Sequence, residues 1–73
     1  MESDIEKYLI YLEKTVADNK LALMEISVYK VKSADVLDLE DELFYKLKHV
    51  LGLDIMSFHV FVKRNKITQL SND

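Results

Sequence analysis

The chain has 73 residues, 49% of them apolar, a formal net charge of −3 and no cysteine or proline. That length supports one small domain spanning 1–73, whose core hides only about 60% of the surface exposed by the unfolded chain. Disulfide staples and thiolate metal sites are excluded, and so is a disordered chain, because the apolar share is too high for so small a net charge.

The first element is a helix. Ser3-Asp4-Ile5-Glu6 fits a reciprocal capping box, and Ile5, Tyr8, Leu9, Leu12 and Val16 follow at helical spacing. Asp18-Asn19-Lys20 reads as its stop, with Asn19 suited to a left-handed conformation, so the helix is predicted over 4–18. Ile10 falls outside the apolar stripe and Tyr11 lies at its margin.

From Leu21 to Lys32 the period changes. Ala22, Met24, Ile26 and Val28 alternate with Leu23, Glu25, Ser27 and Tyr29, which predicts a strand. Asp35 or Asp38 then caps a second helix with the stripe Val36, Leu39, Leu43, Phe44, Leu47, Val50 and Leu51, ended by Gly52. Met56, Phe58, Val60 and Val62 alternate with Ile55, Ser57, His59 and Phe61, which predicts a second strand. Residues 63–66 read as a turn, 67–70 as a short third strand, and 71–73 as a frayed end.

The predicted fold is therefore α+β, or a small α/β: a two-layer sandwich in the order α-β-α-β, with two helices on one face of a small sheet. The other sheet face carries Leu23, Tyr29, Val31, Ile55 and Phe61, too apolar to stay wet, so a homodimer is expected to complete the fold. A short chain without disulfides gains stability the same way.

Acid is concentrated towards the start. Residues 1–45 hold eleven acids against five lysines, net −6, whereas 46–73 carry net +3. Asp35, Asp38, Glu40, Asp41 and Glu42 gather where the second helix begins, where carboxylates interact favourably with the helix's positive end. An EF-hand loop is excluded because the helix starts too early and no glycine interrupts the acids. Neighbouring carboxylates on an exposed helix end also lack the opposed geometry of a hydrolytic pair. Beyond helix stabilisation, the cluster suits docking on a basic surface.

No catalytic group emerges. Ser57 and His59 share a strand face in this reading, but residues two apart are about 6.6 Å apart in rise, too far for a nucleophile and its base. His49, Asp54 and His59 are thrown in different directions by Gly52, so no metal site is expected, and no cofactor. Tyr11 and Tyr45 point away from the main stripes, as aromatic residues at protein interfaces do. Met24 and Met56 are expected to fill the core.

The expected function is a non-enzymatic, protein-binding regulator. It is read as a small inhibitor or modulator that presents Asp4, Glu6, Glu13, Asp38, Glu40, Asp41 and Glu42, with Tyr11 and Tyr45, to a basic surface of a larger protein. Such a flank imitates the charge of nucleic acid and suits a surface built to hold it. The alternative is a nucleic-acid-binding regulator using Lys30, Lys32, Lys63, Arg64 and Lys66, gathered at one sheet edge. The acidic balance and the absence of a stacking platform disfavour it. A purely structural oligomerisation subunit is a third reading. No apolar run approaches the ~20 residues that span a bilayer, and without a basic-then-apolar leader a cytoplasmic location is expected.

Overall fold

The computed structural model describes residues 3–32 and 35–71, with side chains as far as residue 67. Four helices follow one another: α1 (Asp4–Thr15), α2 (Lys20–Lys32), α3 (36–50) and α4 (Phe58–Ser71). The α+β sandwich is thereby overturned, since no strand occurs among the described residues. The first predicted long strand is α2, and of the second, residues 55–57 lie in the connection before α4 and 58–62 inside it, as do the predicted turn at 63–66 and third strand at 67–70. The fraying expected at 72–73 falls outside the described residues.

Helix α1 begins as its sequence dictates. The Ser3 hydroxyl accepts from the Glu6 N–H at 3.2 Å, and the Glu6 carboxylate accepts from the Ser3 N–H at 3.3 Å. Its stripe is buried through Tyr8, Leu9, Leu12 and Val16, while Ile10 is exposed. The helix ends three residues before the predicted stop, at Thr15. Asn19 serves the next helix instead, its side-chain oxygen accepting from the Ala22 N–H at 3.1 Å. An asparagine here satisfies an orphan donor of α2's first turn.

Helix α2 shows why the alternation misled. Ala22, Ile26 and Tyr29 are the residues that face the core, a spacing of four and three, while Met24 and Val28 are exposed. Apolar residues occupy nearly every bearing around this segment, so periods of 2 and 3.6 fit it equally well. Lys20-Leu21-Ala22-Leu23-Met24-Glu25 consists of strong helix formers, and with a cap at Asn19 this run nucleates the helix.

Asp35 caps α3, its carboxylate accepting from the Asp38 N–H at 3.0 Å. After one ordinary turn over Val36–Asp38 the helix widens to π-type winding over Leu39–Phe44 and Lys46–Val50. The Leu51 N–H, bonded to the Lys46 carbonyl at 2.9 Å, shows the five-residue step directly. Leu39, Leu43 and Leu47, four apart along α3, are all buried. Gly52 ends α3 with φ +71°, and the Leu53 N–H reaches back to the Leu47 carbonyl at 3.0 Å.

Ser57 caps α4, its hydroxyl accepting from the Val60 N–H at 3.2 Å. Phe61 is buried and Phe58, Val62 and Asn65 are half-buried, which is one helical face, whereas Val60, predicted to point inward, is exposed. The aromatic rings hold α4 to α1. Tyr8 lies 5.4 Å from Phe58 and 5.3 Å from Phe61, both edge-on, and Tyr11 lies 5.2 Å from Phe61, between ring centroids. Two hydrogen bonds complete the join: the Tyr8 hydroxyl donates to the Met56 carbonyl at 2.8 Å, and the Met56 N–H donates to the Tyr11 hydroxyl oxygen at 2.8 Å.

Replacing Tyr8 by Phe leaves the Met56 carbonyl without this donor and is expected to cost about 1–2 kcal/mol, lowering the midpoint of thermal unfolding by roughly 4–8 °C per kcal/mol. Gly52→Ala meets no atom within 4 Å, so only its left-handed backbone resists the change. That substitution should cost about 1–2 kcal/mol, and Gly52→Asn less; equal midpoints for the two variants would contradict this account. Far-UV circular dichroism should show helix without a strand component.

Candidate functional site

The acidic residues of the predicted site fall into groups that the fold treats differently. Asp4 borders a groove with Phe58, His59, Val62, Lys63 and Lys66, so it faces cations of its own chain. Glu6 is engaged in the capping box. Glu13 is paired with Lys30 at 2.7 Å across α1 and α2. The remaining four, Asp38, Glu40, Asp41 and Glu42, follow one another through the start of α3, and three of them sit in its first π-wound stretch.

Those four are the most available carboxylates of the set. Asp41 and Glu42 are exposed, Asp38 and Glu40 half-buried, and no salt bridge among the described residues engages any of them. Asp35, beside them, is occupied as the cap. Glu42 borders a second groove, between α2 and α3, alongside Glu25, Lys32 and Lys46; there Lys46 pairs with Glu25 at 3.3 Å. The cluster is thus an open run of carboxylates just after a helix start whose cap is Asp35.

The two tyrosines separate. Tyr45 is 55% exposed, and its ring lies 5.2 Å from that of His49, itself 6.2 Å from Phe44. It stands on α3 just beyond the acidic run, as an interface aromatic would. Tyr11 is half-buried, stacked between Tyr8 and Phe61, with its hydroxyl bound to Met56. Its contacts belong to the fold.

The basic cluster of the alternative reading loses its geometry, because the described residues form no sheet whose edge could gather it. Lys30 and Lys32 end α2, with Lys30 already paired, while Lys63 and Lys66 share a face of α4 with His59. Ser57, read as sharing a strand face with His59, instead caps α4. Among the described residues no group of three or more histidines and acids is arranged to hold a metal. No helix among them is long and apolar enough to cross a membrane.

Sequence reasoning missed two polar groups that organise the molecule, the hydroxyls of Tyr8 and Tyr29. Tyr8 is fully buried, and its proton is held well above the ordinary tyrosine range, first by burial and then by the proximity of Tyr11 and Glu40. Tyr29 is raised by burial and then by Asp35 and Asp38, and its hydroxyl donates to the Asp35 carbonyl at 3.1 Å. Both groups hold their protons more tightly in the folded chain than in the unfolded one. Stability from this source is complete below the unfolded value of 10.0 and is lost as pH rises beyond it. Spectrophotometric titration should show Tyr8 and Tyr29 ionising late, together with alkaline unfolding, and a titration unchanged by Tyr8→Phe and Tyr29→Phe would refute this.

The chain matches no protein-family model, no curated protein and no solved structure.

Proposed function

We propose that this protein is a non-enzymatic regulator that docks on a basic surface of a larger protein through the start of α3. The site consists of Asp38, Glu40, Asp41 and Glu42, with Tyr45 as its aromatic neighbour. One observation carries this reading: four carboxylates stand within five positions, unpaired by any cation among the described residues, and three of them fall in a π-wound stretch. Such winding is uncommon and frequently marks functional positions. Glu13 and Glu25 are by contrast neutralised within the chain, and the exposed Asp18 and Asp54 stand singly.

The mechanism is electrostatic. A compact run of negative charge raises the encounter rate with a cationic surface, and the gain shrinks with ionic strength because exposed charges are screened over roughly 8–10 Å. A surface that grips phosphates meets a comparable charge density here, so occupancy by this protein would exclude nucleic acid. Tyr45, rigid and amphipathic, adds contact area at little entropic cost.

The test uses the intact chain with the four acids changed together to Asn or Gln. A basic nucleic-acid-binding partner captured by the original protein should be released by added duplex DNA and by salt, and the neutralised protein should bind it at least about tenfold more weakly. A partner indifferent to the four changes would overturn the assignment. Direct, salt-sensitive retention of DNA or RNA, abolished by Lys63→Glu with Arg64→Glu, would replace it with the nucleic-acid-binding alternative.

A further inference from the structure

Helix α2 presents a second surface that the acidic site does not use. Leu21, Met24, Val28 and Val31 are 61%, 63%, 48% and 85% exposed. They are spaced three, four and three apart, so they form one straight stripe on the side of α2 turned away from Ala22, Ile26 and Tyr29. Val50, 66% exposed at the end of α3, lies beside Leu21 and Met24 across a groove that also touches Leu51. A helix that is apolar on both faces is a helix meant to be covered on both.

We propose that the stripe is covered by the same stripe of a second copy, with the two α2 helices antiparallel about a two-fold axis. The spacing is that of the a and d positions of a heptad repeat, over two heptads. An antiparallel pairing sets each a residue against a d residue: Leu21 meets the partner's Val31, and Met24 meets the partner's Val28. Every layer then pairs a larger with a smaller side chain, which keeps the helices evenly spaced. A parallel pairing would set Leu21 and Met24 against their own copies at one end and valines at the other, splaying the helices. Antiparallel packing also opposes the two helix dipoles head to tail.

The flanks agree with this arrangement. Matching flanks face each other in an antiparallel pair, so Lys32 comes to the side lined by the partner's Glu25, and Lys20 to the side lined by the partner's Ser27. Glu25, nearest the axis, is already neutralised by Lys46 of its own chain. The exposed apolar surface of the stripe and Val50 is on the order of 500 Å² per copy, at the upper end for patches on monomers. Two such faces bury about 1,000 Å², the lower limit for a specific interface. A reversible dimer follows, with Glu42, which lines one groove with Val28 and Lys32, at the rim of the contact.

Sedimentation across a concentration series should show mass rising from one chain to two. Met24→Glu with Val31→Glu should weaken association at least about tenfold while the helical dichroism is unchanged, because both side chains are exposed in the monomer. Ile10→Glu, on α1, should leave association intact. Orientation is read by cysteine pairing: equal mixtures of Met24→Cys and Val28→Cys proteins should cross-link with each other faster than either does with itself. A monomer at every concentration, a dimer indifferent to the two glutamates, or self-linking that outpaces the mixed pair would overturn the proposal. Dimerisation is scored without any partner protein, so its failure would leave the reading of the acidic site standing.

Discussion

The peptide of Met56 is gripped on both sides by tyrosines of α1. Tyr8 supplies a donor to its carbonyl and Tyr11 an acceptor to its N–H, each at 2.8 Å, so one residue in the connection between α3 and α4 has both backbone groups satisfied by side chains nearly fifty positions away. A connection drawn under the helices would otherwise bury polar groups without partners, at a cost comparable to a large share of so small a domain's stability. The same two rings form the floor on which Phe58 and Phe61 sit. Strapping the loop and seating α4 are therefore one event.

With α4 seated against α1, α2 packs on α1 and α3 on both α2 and α4, and the core closes around Tyr8, Leu12, Ile26, Leu39 and Leu47, all less than 2% exposed. Closure leaves two unlike surfaces. The start of α3 is rich in unpaired carboxylates, and the outer side of α2 is rich in uncovered apolar groups. The first suits salt-sensitive encounter with a cationic partner, the second a contact held by exclusion of water. The proposed docking and self-association use different residues, although the two patches adjoin where Glu42 and Val28 line one groove.

Much of the candidate site was legible beforehand. The acidic run, the end at Gly52 and the outward position of Tyr45 follow from local rules about helix termini and periodicity and the structure keeps them, while the cap, legible only as Asp35 or Asp38, is Asp35. Tyr11 was legible only in part: its bearing on α1 is marginal to the stripe, but nothing within α1 shows that Met56 and Phe61 come to meet it. Glu13 looked available for the same reason, until α2 brought Lys30 within 2.7 Å. Contacts between residues far apart in sequence leave no trace in spacing.

The sequence by itself determined that α1 and α3 are helices and that Ser3 caps α1, because each has a single apolar stripe at helical spacing and a side chain able to satisfy the first unpaired N–H groups, while the end of α1 and the choice of Asp35 over Asp38 came with the structure. It left α2 and α4 open. In 20–32 apolar residues surround the axis, and in 58–67 aromatic and β-branched residues favour a strand as readily as a helix. Local preference was then too weak to decide, and packing decided instead: a helix at 58–71 brings Phe58 and Phe61 together over Tyr8, whereas a strand would send them to opposite faces. Once α4 is helical, no strand remains for 21–32 to pair with, and its backbone groups find their partners within α2 itself.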